Sequence, residues 1–152
     1  MNAGDLCNRE VITTTRDASI QHVASVMRDQ HVGCVIIIEE IAGHVSPVGI
    51  LTDRDIVVEV LAQDIPVSNV NAGDVMSFAL LKVNEDDSVS EVAVRMRARG
   101  VRRVPVVAPS GELIGILALD DILCHLSEEL SLLTTAIRRE VEQESDKRPP
   151  KR

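Results

Sequence analysis

Apolar residues fall on two alternating periods along this chain. Ile20, Val23, Ala24 and Met27 stand at i, i+3, i+4 and i+7, and Val89, Val92, Ala93 and Met96 repeat that spacing. Such spacing puts four apolar side chains on one face of an amphipathic helix. Ser19 and Ser88 precede the two stripes, and Ser88-Val89-Ser90-Glu91 has the form of a capping box. Short apolar runs follow each helix: Cys34–Ile38 and Val104–Val107, then Val48–Leu51 and Leu113–Leu117. Their length and Val/Ile content predict strands covered by helices on at least one face. A second helix is predicted near Arg54 and again near Asp120. The order is strand, helix, strand, strand, helix, twice over. Pro105 lies inside one predicted strand and marks an edge or a local interruption of pairing, because proline has no N–H to donate. Past the second unit, Ile122, Leu126, Leu130, Leu133, Ile137 and Val141 recur every three or four residues, with no Gly or Pro before Pro149-Pro150. One helix of about six turns is predicted there. The charged, proline-containing end, Asp146–Arg152, is expected to fray.

The alternation reflects a duplication. Asn2-Ala3-Gly4-Asp5 recurs as Asn71-Ala72-Gly73-Asp74, an offset of 69. The same offset aligns Asp17, Ser19, Val23, Ala24, Met27, Arg28, Val32 and Val35 with identical residues in the second half. Glu39–Pro47 is three residues longer than Ala108–Leu113, and beyond it the offset becomes 66. Gly49-Ile50-Leu51 then matches Gly115-Ile116-Leu117, and Asp55-Ile56 matches Asp121-Ile122. Each copy has roughly 60 residues, too few to be very stable alone. The units are expected at residues 1–66 and 67–128, with residues 129–152 forming the helical extension and tail.

Composition narrows the function. A chain of 152 residues with 45% hydrophobic content can build a core, so disorder as the overall state is excluded. The net charge of −8 and 1% aromatic content argue against nucleic acid as a partner, which calls for basic surface and stacking platforms. No uninterrupted apolar stretch is long enough to span a bilayer, and Met1–Glu10 lacks the layout of a signal peptide. The expectation is a cytoplasmic protein with no membrane partner. Cys7, Cys34 and Cys124 form no CxxC and are expected reduced; Cys34 and Cys124 read as core residues and Cys7 as the exposed thiol. His22, His31, His44 and His125 lack metal-ligand spacing, so no metal is expected. No Ser-His-Asp or Cys-His arrangement, P-loop or carboxylate dyad is present, which argues against an enzyme.

Two motifs carry a resemblance. Gly-hydrophobic-x-Thr/Ser-x-x-Asp stands complete as Gly49-Ile50-Leu51-Thr52-Asp53-Arg54-Asp55, and with Ala118 in place of the hydroxyl as Gly115-Ile116-Leu117-Ala118-Leu119-Asp120-Asp121. Gly-Val-x-x-hydrophobic-Pro-Val stands intact as Gly100–Val106 and eroded as His31–Ile37. Repeated at matched offsets, these make the chain resemble the CBS-domain family, as a stand-alone tandem pair or Bateman module over about Met1–Leu130. The resemblance implies an α+β fold: two β-α-β-β-α units about a pseudo-two-fold axis, plus the C-terminal helix. It also implies two clefts that bind adenosine-containing ligands such as AMP, ADP, ATP, S-adenosylmethionine or nicotinamide dinucleotides (NAD), with no cofactor required. In such pairs the Asp of the motif receives the ribose hydroxyls and the Thr or Ser meets phosphate. A carboxylate is a pure acceptor suited to vicinal hydroxyls, and a helix N-terminus favours phosphate.

Carried onto this chain, the first cleft would use Thr52, Arg54 and Asp55, with Ile50 against the base and Ser77, Leu80 and Val101 from the other unit. The second would use Asp121, Asp120 and Ile116, with Arg103 and Arg102 toward phosphate and Asn8, Val11 and Val32 from the first unit. Because the first keeps its hydroxyl and the second its arginines, the second is expected to prefer the more anionic ligand. Thr52-x-x-Asp55 is equally a capping box, which needs no ligand; the corresponding cap of the second helix is expected at Asp120, leaving Asp121 free. The family commonly dimerises through helices, so the extended apolar stripe is expected to support a homodimer. The reading is a non-enzymatic regulatory module acting on an unknown protein target. Its rivals are a dimerisation scaffold with vestigial clefts and a redox or metal sensor built on the cysteines.

Overall fold

The structure, a computed structural model, describes residues 1–148. In chain order it contains α1 (Ala3–Leu6), β1 (Thr13–Thr14), α2 (Ile20–Gln30), β2 (Cys34–Ile41), β3 (His44–Thr52) and α3 (Asp53–Asp55). The second half repeats this as α4 (Ala72–Val75), β4 (Val83–Asn84), α5 (Val89–Arg99), β5 (Arg103–Val107), β6 (Leu113–Ala118) and α6 (Leu119–Lys147). Each half forms a three-stranded sheet, ordered β1-β2-β3 and β4-β5-β6, with a parallel first pair and an antiparallel hairpin. The expected α+β architecture of two matched units is present.

Local chemistry explains the elements. Ser19 and Ser88 cap α2 and α5, each Oγ accepting an N–H of the first turn, from His22 at 3.1 Å and Glu91 at 3.3 Å. The Ser88 box is half closed, because the Glu91 carboxylate takes the Ser88 hydroxyl at 3.0 Å. Both helices end on a left-handed residue, His31 (φ 54°) and Gly100 (φ 64°). The predicted helical stripes are core: Ile20, Val23 and Met27 pack with Val35, Ile37 and Leu51, and Val92 and Met96 with Val104, Val106 and Leu117.

Pro105 is not on an edge, since β5 is the central strand of its sheet. It does interrupt pairing locally. The repeat-equivalent Ile36 donates its N–H to the Ile12 carbonyl at 3.0 Å, and proline has none to donate. In the first unit, α3 continues into a π-helical turn, Ile56–Leu61, where the Ala62 N–H donates to the Val57 carbonyl at 2.9 Å. The sequence Ile-Val-Val-Glu-Val-Leu is mostly β-branched and packs poorly in an α-helix. The second unit's helix is instead one 29-residue α-helix, about 44 Å long, crossing residue 128 without a break. It includes Asp146 and Lys147, which were expected to fray; Pro149–Arg152 lie outside the described residues.

The two cores exchange their first segments. Ala3 is fully buried in the core of the second unit, and Ala72 and Met76 are buried in the core of the first. Ala3 and Gly4 donate N–H groups to the carbonyls of Asp87 and Glu85, both at 2.8 Å; Ala72 and Gly73 donate to Ala18 and Arg16 at 2.8 and 2.9 Å. These bonds correspond one to one under the repeat, which is the pseudo-two-fold relation in atomic form. The recurrence of Asn-Ala-Gly-Asp follows from this. Alanine fills a buried slot, Asp5 and Asp74 accept the Asn2 and Asn71 N–H groups, and glycine permits the approach. A Cβ on Gly4 would lie 2.9 Å from Glu85 Cβ, and on Gly73 3.0 Å from Arg16 Cβ.

Candidate functional site

The exchanged segments run on to the outer edges of β3 and β6. Asn8 and Ile116 form an antiparallel bridge with reciprocal N–H···O bonds of 2.9 Å, and the Ser77 N–H donates to the Ile50 carbonyl at 2.9 Å. Gly115 makes the first crossing possible: a Cβ there would lie 2.6 Å from Cys7 Sγ and 2.8 Å from the Asn8 carbonyl oxygen. Gly49 does the same for the second crossing, where a Cβ would collide with the Met76 side chain. Edge strand, crossing segment and helix start thus form the walls of each cleft.

The second cleft holds a cavity of about 260 Å³. Six residues named from the sequence line it together: Asn8, Val11, Val32, Arg103, Ile116 and Asp121. Sequence reasoning missed Glu10, Ile12, His31, Gly33, Cys34 and Ile36, which complete the wall with Ala118. The repeat offset held no signal for these, pairing Glu10 with Ala79, His31 with Gly100 and Cys34 with Arg103. Asp121 caps its own helix, Oδ2 accepting the Ala118 N–H at 2.9 Å, while its other carboxylate oxygen accepts no protein hydrogen bond among the described residues. The expectation that Asp120 caps is therefore corrected. Asp120 accepts from Arg102 Nη2 at 3.1 Å in an exposed ion pair, and neither residue lines the cavity. Arg103 remains as the lining cation. Burial pushes the neighbouring Cys34 thiol up from its ordinary pKa, and the Arg103 guanidinium partly opposes that rise.

The first-cleft candidates are less gathered. Thr52 and Asp55 form a complete capping box: the Asp55 N–H donates to Thr52 Oγ1 at 3.1 Å and the Thr52 N–H to Asp55 Oδ2 at 2.8 Å. Asp55 and Ser77 share a cavity of about 430 Å³ with Glu59, Ile65, Val70, Asp74 and Val75. That cavity opens toward the π-helical turn and α4, and is not the repeat counterpart of the second cleft. Ile50 and Leu80 are half-buried, and Arg54 and Val101 are exposed. A depression of about 490 Å³ on the outer face of α5 lies away from both clefts, and its Arg95 already donates to Asp87 and to the Lys82 carbonyl.

The thiol assignments change. Cys124 is exposed on α6 rather than in the core, and Cys7 is half-buried beneath its crossing. Burial, the larger effect, raises the Cys7 thiol pKa against the lowering pull of Arg9. Among the described residues no three His, Cys, Asp or Glu side chains are grouped to hold a metal ion. Likewise none of the described helices is long and apolar enough to cross a membrane.

Comparison with known proteins agrees with the fold. The chain matches the CBS domain family over residues 3–62 and 72–128. It is 37% identical over 123 residues to an uncharacterized protein of Methanopyrus kandleri, a stretch covering 81% of this chain but only 61% of that protein. It is 34% identical over 129 residues to hypoxic response protein 1 of Mycobacterium tuberculosis, covering 84% of this chain and 82% of that one. A crystal structure of hypoxic response protein I with two coordinated zinc ions superposes with a TM-score of 0.71 at 30% identity, covering 82% of this chain and 98% of that one. A CBS domain pair in complex with 5′-methylthioadenosine and S-adenosyl-L-methionine superposes with a TM-score of 0.73 at 25% identity, covering 85% and 98%.

Proposed function

The chain belongs to the CBS-domain family, and from that premise we propose that it is a non-enzymatic regulatory module whose interunit clefts bind an adenosine-containing ligand. The observation that carries this is the cavity between Asn8–Ile12 of one unit and Arg103, Ile116 and Asp121 of the other. The free carboxylate oxygen of Asp121 is the acceptor for ribose hydroxyls, and Val11, Val32 and Ile116 supply apolar walls for the base. At the first cleft, Asp55 with Thr52 takes the same roles, aided by Arg54, Ile50, Ser77, Leu80 and Val101. A ligand touching both units favours the arrangement in which both walls meet it, and shifts the pair by its differential affinity for that state. The output passes to a protein target, in the cytoplasm, through contacts that depend on that arrangement. The complex of a related pair with 5′-methylthioadenosine and S-adenosyl-L-methionine supports the ligand class.

A thermal-shift screen against adenosine, AMP, ADP, ATP, S-adenosylmethionine and NAD tests the reading. A true ligand at a hundred times its Kd stabilises the fold by about 2.7 kcal/mol. Asp121→Ala and Asp55→Ala should each weaken binding at their own cleft by about 1.5–3 kcal/mol, as for hydrogen bonds to a charged group. No shift with any of these ligands would refute the proposal.

One observation favours a second reading, the dimerisation scaffold. Leu126, Leu130, Leu133, Ile137 and Val141 are all exposed along α6. An unpartnered stripe of this kind is covered most simply by a second copy across a two-fold axis. Light scattering should show a homodimer for the full chain and weaker association for a chain ending at Glu128. A dimer with no ligand response supports the scaffold; a dimer with ligand response supports regulation.

A further inference from the structure

Two faces of the molecule lack a cover, and they match each other. In the first unit, the segment between the units closes one side of α2. Its Val67–Asn69 turn lies against that helix, and Val67 and Val70 pack onto the core beside Val26. Among the described residues nothing takes the corresponding place on α5. Ser25 is half-buried, whereas its repeat counterpart Val94 is 57% exposed and lines the depression of about 490 Å³ on that side. On α6, Leu130, Leu133, Ile137 and Val141 carry the face of Leu119 and Ile122 past the end of their own core. We propose that the free end of α6 docks along the outer face of α5 of a second copy, parallel to it, each copy covering the other. This rests on the homodimer of the second reading above and assigns its interface.

Length and charge select this seat. At 1.5 Å per residue, α6 runs on for about 28 Å past Glu128, and α5 is about 16 Å long. From its start, α5 is acidic and then basic: Asp87 and Glu91, then Arg95, Arg97 and Arg99. The end of α6 has the opposite order: Arg138 and Arg139, then Glu140, Glu142, Glu144 and Asp146, before Lys147. With the helices parallel and Val141 set against Val94, Arg138 stands level with Glu91, Glu144 with Arg97 and Asp146 with Arg99. Antiparallel docking on the same valines sets Arg138 level with Arg97 and Glu144 level with Glu91, like against like. Opposite charges attract over about 8 Å before salt screens them, so the blocks need not form individual ion pairs. Arg97, Arg99, Glu142 and Glu144 make no ion pair among the described residues and are available for this contact. Pairing α6 with α6 is the poorer arrangement. In parallel it stacks each charge on its own copy. Over the whole antiparallel length it meets the unit that Leu119 and Ile122 already face, and either way Val94 stays uncovered.

The test is sedimentation equilibrium of the full chain with charges exchanged between the helices. Arg97→Glu/Arg99→Glu should weaken the dimer roughly tenfold, as should Glu142→Arg/Glu144→Arg, and all four together should restore it to within roughly threefold. Arg97→Glu/Arg99→Glu combined with Glu40→Arg/Glu112→Arg has the same net charge but places the new cations on β2 and in the β5–β6 turn, and should not restore it. If a charge variant fails to fold, mild oxidation of a Val94→Cys/Val141→Cys/Cys124→Ser chain decides the matter. A covalent dimer is expected there, and none when either new cysteine stands alone. No rescue by the fourfold exchange, equal rescue by the control, or no cross-link overturns docking on α5 while the dimer stands. Weakening by the α6 pair with an inert α5 pair does the same, and places the stripe against another α6. A parent chain that is monomeric at every concentration sinks both.

Discussion

Thr52 and Ala118 hold the same place in the two units, each just before the helix that closes its cleft, in nearly the same extended conformation (φ −108° and −103°). Around Thr52 the capping box is complete; around Ala118 only the carboxylate half remains. The same divergence appears at Glu10 against Ala79, His31 against Gly100 and Cys34 against Arg103. Positions that stayed identical, among them Asn-Ala-Gly-Asp, Gly-Ile-Leu and the aspartate of each helix start, are those the segment exchange and the caps require in both copies. Each of these diverged pairs places a residue in the second cleft, beside the retained Val32, Ile116 and Asp121. Duplication thus preserved the architecture and the aspartate of each cleft, and the differences between copies make the two clefts unlike.

The strongest way to break this comparison is to block a crossing. Gly115→Ala should destabilise the fold by about 3 kcal/mol in urea unfolding, because the new Cβ meets the Asn8 backbone carbonyl as well as Cys7. Gly49→Ala should cost about 1 kcal/mol, since the flexible Met76 side chain can move aside. Equal losses would mean that the two crossings are equivalent, contrary to their contacts.

A second test restores what the second unit lost. Ala118→Thr should stabilise the fold by about 1 kcal/mol by supplying an acceptor for the Asp121 N–H, as Thr52 does for Asp55. An unchanged urea midpoint would show that the cap is not what separates the two helix starts. The smallest effect concerns the helix ends. His31→Gly should raise stability by somewhat less than about 1 kcal/mol, relieving a left-handed non-glycine that Gly100 already avoids in the other unit. Loss of stability would indicate that His31 makes contacts worth more than that strain.

Much of the fold was legible because it repeats. The helical stripes, the strand runs and the two Gly-Ile-Leu segments lie in the order the pattern requires. The exchange of α1 and α4 was not legible from periodicity, which reports local structure and not which core a segment enters. Its trace was the exact recurrence of Asn-Ala-Gly-Asp at a place that reads as loop. Asp120 and Asp121 stand side by side, and only backbone geometry shows that the second is the cap and the first a surface partner of Arg102. Cys124 reads as core from its helix, yet it lies on the solvent side of α6. The lining of the second cleft was legible where it matched the family motif and illegible at Glu10 and His31, whose roles depend on the crossing.

The central claim is that one adenosine-containing ligand is held by both units at the second cleft. Hydrogen-exchange protection measured with and without saturating 5′-methylthioadenosine tests it most directly, with ATP as a second probe. The account predicts that the amides of residues 10–12 in the first unit and 116–121 in the second gain protection together. Protection confined to one unit or to the outer face of α5, or no protection with either probe, would contradict it.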